Sequence, residues 1–170
     1  SGTLTLASGV FNDGGFNIEY VGDISNPGTF INSGTISLTG SLINAGTFNA
    51  SGTIDLTAGF TNSGTFTSSG CNINLAGDWD NTGGTYTYFD GDIVTFDGGL
   101  FLNQEISGTT SWFNLTIDKG AFASTLSLTS GTQNIHNILN INSGAVSNTG
   151  ALVVLISDAV RTAQMDDIGT

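Results

Sequence analysis

A repeat of eighteen residues is the feature that most constrains the fold of this chain. Ile36-Ser37-Leu38 returns as Ile54-Asp55-Leu56 and then, one residue late, as Ile73-Asn74-Leu75. Other positions keep the same offsets, and they form an aliphatic-to-aromatic column (Leu42, Phe60, Trp79) and a second aromatic column (Phe30, Phe48, Phe66, Tyr86). Low-complexity drift does not keep several columns in step, so the repeat reflects a structural unit.

The period and the apolar pattern together indicate a β-solenoid. A period of about 18–20 residues is too short for a helical hairpin and fits one turn of a solenoid. Within a copy, Ile36, Leu38, Leu42 and Phe48 alternate with polar residues, which is typical of strands with one buried face, and small residues such as Gly40 separate them. We therefore predict an all-β fold, a single-stranded parallel β-solenoid with roughly triangular coils of about 18–20 residues.

Asparagine forms a column of its own in the repeat. The column is predicted to comprise Asn12, Asn26, Asn44, Asn62 and Asn81. Phe16 lies four residues after Asn12, as Phe30 lies four residues after Asn26, so Phe16 is predicted to belong to the same aromatic column as Phe30. Identical amides stacked at the strand spacing of about 4.8 Å bond along the axis. The column is therefore predicted to be an internal structural ladder rather than a ligand site.

The whole chain, 1–170, is predicted to be one β-solenoid domain. Residues 1–90 hold the regular coils, 91–156 hold divergent coils, and 157–170 form a C-terminal tail that breaks the repeat and either caps its own stack or reaches a neighbour. The opening SGTLTL resembles the SGTISL of the repeat, so the chain is expected to begin inside a stack.

Charge and composition exclude several classes of partner. The net charge is −12, because only Lys119 and Arg161 oppose fourteen Asp and Glu residues. Two cations cannot build a groove that follows phosphates, so no nucleic-acid partner is expected, and anionic membranes are disfavoured. The apolar run Leu152–Ile156 is too short to span a bilayer, so no membrane insertion is expected.

No catalytic constellation is visible, and the chain is predicted not to be an enzyme. Cys71 is the only cysteine and is expected to be a tolerated corner residue. His136 is the only histidine and is expected to face solvent. With one histidine and one cysteine, the chain lacks the ligands for a zinc site and the residues for a catalytic Cys–His pair. No catalytic or cofactor-binding residue is assigned.

Carboxylates cluster in the segment DWDNTGGTYTYFDGD, and three interpretations stay open. Asp78, Asp80, Asp90 and Asp92 can be solvated corner residues, a candidate calcium site or a carboxylate pair of the glycosidase type. Their spacing matches neither an EF-hand loop nor the glycine-rich calcium solenoid. Calcium is the only cofactor that the sequence suggests.

The second half resembles the repeats of long exported bacterial surface proteins, including adhesin-like β-helices and clients of type IX secretion. Their phrases G-T-V-T-F-x-G, Q-x-I-S-G-T-T-x-F-x-N-L-T-I and L-x-L-x-S-G are similar to Asp92–Gly98, Gln104–Ile117 and Leu126–Gly131. Leu155–Asp167 resembles the strand that closes such arrays. The resemblance implies a right-handed coil and an extracellular or cell-surface location, and it carries no catalytic motif.

Two functions from different classes are consistent with these observations. The first is a structural or adhesive element, a subunit or segment that assembles by end-to-end stacking of coils, with itself or with neighbouring repeats of a longer chain, and that contacts glycans or other cell surfaces. The alternative is an ice- or carbohydrate-binding solenoid that uses outward threonines, with one rank at Thr29, Thr47, Thr65 and Thr85. The second rank (Ile31, Asn49, Thr67, Thr87) is broken, which weakens that alternative.

Overall fold

Short parallel strands account for nearly all the regular structure. A computed structural model describes residues 2–99, 102–120 and 124–167, and these residues form an all-β parallel solenoid of about seven turns that contains no helix. The strands in chain order are β1 Gly2–Thr5, β2 Val10–Asn12, β3 Ile18–Tyr20, β4 Gly22–Asn26, β5 Thr29–Asn32, β6 Thr35–Leu38, β7 Leu42–Asn44, β8 Thr47–Ala50, β9 Thr53–Leu56, β10 Phe60–Asn62, β11 Thr65–Ser68, β12 Asn72–Leu75, β13 Trp79–Asp80, β14 Thr85–Thr87, β15 Ile93–Phe96, β16 Gln104–Ser107, β17 Thr110–Asp118, β18 Thr125–Leu128, β19 Thr132–Ser143, β20 Ala145–Asn148, β21 Leu152–Leu155 and β22 Gln164–Asp167.

The strands stack into three parallel sheets, which confirms the predicted fold class. Sheet A has the order β1-β4-β7-β10-β13-β16-β18-β20, and sheet B has the order β14-β11-β8-β5-β2. Sheet C has the order β21-β19-β17-β15-β12-β9-β6-β3, with β22 also paired to β19. Up to β14 each coil contributes one strand to each sheet, so the regular coils are triangular.

The predicted columns are the columns of the core. Ile36 pairs with Ile54 and Ile54 with Ile73 in sheet C, while Leu42, Phe60 and Trp79 follow one another in sheet A. All six side chains are buried. In sheet B the aromatic column Phe30, Phe48, Phe66 and Tyr86 is stacked as predicted, with ring centroids 4.6, 5.0 and 5.5 Å apart. Aromatic packing therefore fills the centre of the stack.

Close backbone approach at one corner requires glycine. A Cβ on Gly64 would lie 2.2 Å from the carbonyl oxygen of Gly46, and one on Gly46 would lie 2.0 Å from that of Gly28. These contacts recur once per coil, so the small residues that separate the strands in the sequence are corners.

The asparagine ladder is confirmed for Asn26, Asn44, Asn62 and Asn81. In each step the Nδ2 of one residue donates to the Oδ1 of the next, at 2.8 Å. All four side chains are buried. The first three also donate to the carbonyl oxygens of Thr47, Thr65 and Thr85. The ladder thus ties sheet A to sheet B through the interior.

The prediction was wrong for Asn12 and Phe16. Phe11, not Phe16, pairs with Phe30 and begins the aromatic column, and Asn12 pairs with Ile31 on the outside of sheet B. Phe16 is exposed. Asn12 precedes Asn26 by fourteen residues instead of eighteen, so it cannot reach the ladder position while the strands stay in register. The ladder therefore starts at Asn26, and the Asn26 Oδ1 has no hydrogen-bond partner among the described residues.

The coils change shape after β14. Sheet B gains no further strand, and β17 and β19 extend to nine and twelve residues. The start of β17 brings Trp112 against Tyr86, at 5.9 Å between ring centroids, while Asn114 to Ile117 pair with β15 in sheet C. Irregular pairing near Trp112 and Asn114 lets the strand bend between the two positions. One long bent strand thus replaces two short ones in the divergent coils.

Candidate functional site: a threonine face and two open ends

Four of the five strands of sheet B present an outward threonine at one position, which Val10 occupies on β2. Thr29, Thr47, Thr65 and Thr85 pair with one another in register, directly outside the aromatic column. Parallel strands lie about 4.8 Å apart, so the rank repeats at that spacing. The neighbouring rank reads Ile31, Asn49, Thr67, Thr87. The face is therefore polar and periodic along one rank only.

The first coil leaves inward side chains uncovered. Leu4 stacks on Ile24, and Phe11 packs edge-on against Phe30 with ring centroids 4.9 Å apart. Leu4 and Phe11 are 40% and 41% exposed, whereas Ile24 and Phe30 below them are each 1% exposed. Both side chains point into the column but have a neighbouring coil on one side only.

The last coil repeats this arrangement at the other end. Val153 and Leu155 stack on the buried Gln133 and Ile135, yet they are 37% and 40% exposed. Met165 stacks on Leu139 and is also exposed. Val153 and Met165 help to line a cavity of about 260 Å³ whose other lining residues, apart from Gln133, are apolar. This end of the stack is an open apolar surface.

Part of the predicted tail is a strand of the stack. Within 157–170, β22 pairs parallel with the second half of β19, while β21 pairs with the first half. The chain therefore extends its own last coil, with an excursion between the two strands. Residues 168–170 lie outside the described residues.

The four carboxylates of the candidate calcium site are engaged separately. Asp78 Oδ1 accepts from the Glu105 N–H, and Asp80 Oδ1 accepts from Thr82 and Ser107. Asp90 forms a 2.6 Å ion pair with Arg161. Within the described part of the chain, no group of three or more His, Cys, Asp or Glu side chains is arranged to hold a metal ion.

Asp92 differs from the solvated corner residue that one interpretation predicted, because it is buried. Its carboxylate accepts backbone N–H groups of Gly70 and Cys71, each at 2.8 Å, and that of Phe89 at 2.6 Å. Cys71 is also buried. Burial and the nearby Asp92 charge raise the pKa of the Cys71 thiol to about 12, so this thiol stays protonated and unreactive at neutral pH.

His136 is half-buried rather than solvent-facing. Its ring lies 4.8 Å from that of Tyr88, and Tyr88 also stacks near Phe113. Arg161 lies over the Phe113 ring at 5.6 Å. Burial, reinforced by Arg161, lowers the pKa of His136, so the imidazole is neutral at pH 7. This lateral cluster fixes the excursion before β22 against the coils beside it.

Asp13 holds a corner of the first coils, although no pattern in the sequence marks this residue. Burial acts to raise the pKa of Asp13, but hydrogen bonds from Gly15, Ser33, Asn32 and Gly34 outweigh it and lower the pKa from 3.8 to about 2. A carboxyl group whose pKa is lower in the folded than in the unfolded state stabilises the fold at pH values above its unfolded-state pKa. This stabilisation is lost as the pH falls through the folded-state pKa.

The stability of the wild-type protein is therefore expected to fall between about pH 4 and about pH 2 more steeply than that of Asp13→Asn. The amide of the variant keeps the shape but does not titrate. Urea denaturation at a series of pH values measures the difference. Parallel pH profiles for the two proteins would contradict the assignment of this carboxylate as a charged cap.

Comparison with known proteins gives no match. No family model fits the chain, no curated protein resembles it in sequence, and no solved structure matches it. The described residues include no helix long and apolar enough to cross a membrane.

Proposed function

We propose that this chain is a non-enzymatic structural or adhesive element of a bacterial surface protein or extracellular filament, built by end-to-end stacking of solenoid coils. The observation that carries the proposal is the uncovered core at both ends of the stack. Inward residues of the middle coils are fully buried, whereas Phe11 and Leu155 occupy equivalent inward positions and remain exposed. A further coil at either end would cover them.

Backbone geometry supports the same contact. The outer edges of β1 and β21 carry strand N–H and C=O groups that no other described strand pairs with. Such edges recruit further strands. The two ends differ, so contact between them is heterologous and does not close on itself, which generates a filament from separate copies. Neighbouring repeats of a longer chain would be stacked by the same contact.

The extracellular location and the adhesive role rest on composition and on the resemblance to exported surface repeats. The outer surface is rich in Thr, Ser and Asn, and the net charge of −12 favours solubility of a long stack. Glycans and other cell surfaces are the partners that such a polar face suits. The buried asparagines of the ladder bond to one another, which suits a structural role.

We expect the isolated chain to associate with increasing concentration and to form fibres. Val153→Asp places a charge on the open end and is expected to abolish assembly while circular dichroism stays unchanged. Ile43→Asp is the matched control, because Ile43 is also 37% exposed but lies on the outer face of sheet A in mid-stack. Sedimentation velocity and electron microscopy measure the outcome. A monodisperse monomer at high concentration, or equal loss of assembly in both variants, would overturn the proposal.

The in-register rank at Thr29, Thr47, Thr65 and Thr85 favours one second candidate, ice or carbohydrate binding. This function predicts thermal hysteresis, or retention of specific sugars on a glycan array. Thr65→Tyr disrupts the rank and should abolish either activity, whereas Val153→Asp should not. If the chain instead assembles end to end, Val153→Asp should abolish assembly and Thr65→Tyr should not.

A further inference from the structure

Lys119 is buried in the divergent coils. It follows β17 directly and is 0% exposed. Arg161, the other basic residue, lies at the surface and pairs with Asp90 and Asp158. Among the described residues, no carboxylate lies within ion-pair distance of the Lys119 ammonium group. A buried ammonium group without a counter-ion is costly, so its neutral form is favoured.

The contact of this lysine is the side-chain amide of Gln104 on β16. Lys119 Nζ donates to Gln104 Oε1, which also accepts the Gly98 N–H at 3.0 Å. Gln104 Nε2 donates to the carbonyl oxygens of Leu75 and Gly77. The amide oxygen therefore faces hydrogen-bond donors and the amide nitrogen faces acceptors. This arrangement fixes the orientation of the amide, with its carbonyl group towards the lysine.

The surroundings favour attack of the amine on this carbonyl group. Burial lowers the pKa of Lys119, although Asp97 and Asp78 act against it, so the neutral amine, which is the nucleophilic form, is more populated than in a lysine exposed to water. The Gly98 N–H points at the oxygen on which negative charge would develop during addition. A preorganised backbone donor at that position stabilises a tetrahedral intermediate.

We propose that Lys119 and Gln104 join in an intramolecular isopeptide bond. Nζ of the neutral amine attacks Cδ of Gln104, a new C–N bond forms, and the bond from Cδ to Nε2 breaks. Nε2 leaves as ammonia, with its own two hydrogens and the one that Nζ loses. The exchange of one amide for another needs no oxidant, reductant or cofactor.

A second buried glutamine shows why this pair is distinct. Gln133 has the same Gln-x-Ile pattern, and its Oε1 accepts the Trp112 indole N–H at 3.1 Å. An indole N–H donates a hydrogen bond but is no nucleophile. The proposed cross-link joins β16 of sheet A to the residue that directly follows β17 of sheet C, just beyond the level at which sheet B stops.

Mass spectrometry of the intact folded protein tests the proposal. The wild type is expected to weigh about 17 Da less than its sequence, the mass of one ammonia. Lys119→Met and Gln104→Leu are expected to have their sequence masses, whereas Gln133→Leu keeps the deficit. Cleavage after Glu105 should leave the peptides that contain Gln104 and Lys119 joined in the wild type. A wild-type mass equal to the sequence mass, with the two peptides separate after long incubation of the folded protein, would overturn the proposal. The wild-type result alone decides even if a variant fails to fold.

Discussion

Replacing Phe48 with alanine is expected to lower the free energy of unfolding by about 3–5 kcal/mol. Phe48 is fully buried, and its ring lies between Phe30 and Phe66, at 4.6 and 5.0 Å between centroids. Neighbouring coils are held apart by backbone pairing, so they cannot collapse into the space that the ring leaves. The loss therefore includes both the transfer free energy and the cavity.

Thr47→Ala is the matched control, because Thr47 is the outward neighbour on the same strand. It is expected to cost less than about 0.5 kcal/mol, since its carbonyl group still accepts the Asn26 amide. Urea denaturation of both variants measures the difference. Equal destabilisation would show that the inward and outward faces of sheet B are wrongly assigned.

Asn44→Asp is expected to destabilise the protein by about 3–5 kcal/mol at neutral pH. Asn44 Nδ2 donates to Asn62 Oδ1 and to the Thr65 carbonyl oxygen. A carboxylate has no hydrogen for either acceptor, so three oxygens would face one another around a buried charge. The substitution hardly changes volume, so the loss reports the ladder rather than packing.

Asn49→Asp controls for added charge, because Asn49 is exposed on the outer face of the next strand. It is expected to cost less than about 0.5 kcal/mol. The ladder site should raise the pKa of the introduced carboxyl group above its unfolded value. The deficit of Asn44→Asp is therefore expected to shrink as the pH falls towards about 4. A deficit as small as that of the control would mean that the ladder contributes little.

The repeat made the regular coils predictable, because each column is reported several times in the sequence. One inward position, for example, is occupied by isoleucine in three successive copies, Ile36, Ile54 and Ile73. Pairing between neighbouring strands then places these side chains above one another. The first coil has no such agreement. Its Asn12 matches the motif Asn-x-x-x-Phe locally, but register with Phe30 selects Phe11 instead.

The divergent coils and the buried polar residues were harder to predict. The spacing of apolar residues in the sequence does not indicate that β17 is one long bent strand in place of two short ones. The bend depends on a local irregularity in the pairing of β17 with β19. Asp92 and Lys119 are of residue types that normally lie at the surface, and their neighbours in the sequence do not indicate otherwise. Their burial depends on partners such as Cys71 and Gln104, which lie far from them in sequence and are of unrelated types.

The offset of eighteen residues between paired strands of the most regular coils restricts how a chain of this kind can change its length. Thr35 pairs with Thr53, eighteen residues later, so removal of residues 35–52 would bring Thr53 to the place of Thr35 with each later column intact. Removal of seventeen residues would instead turn the inward side chains of the following strand outward, unless a corner absorbs the difference, as the corner between β11 and β12 absorbs one extra residue. Duplication or loss of a gene segment that encodes a whole coil therefore keeps every column in register, and each such unit lengthens or shortens the rod by about 4.8 Å.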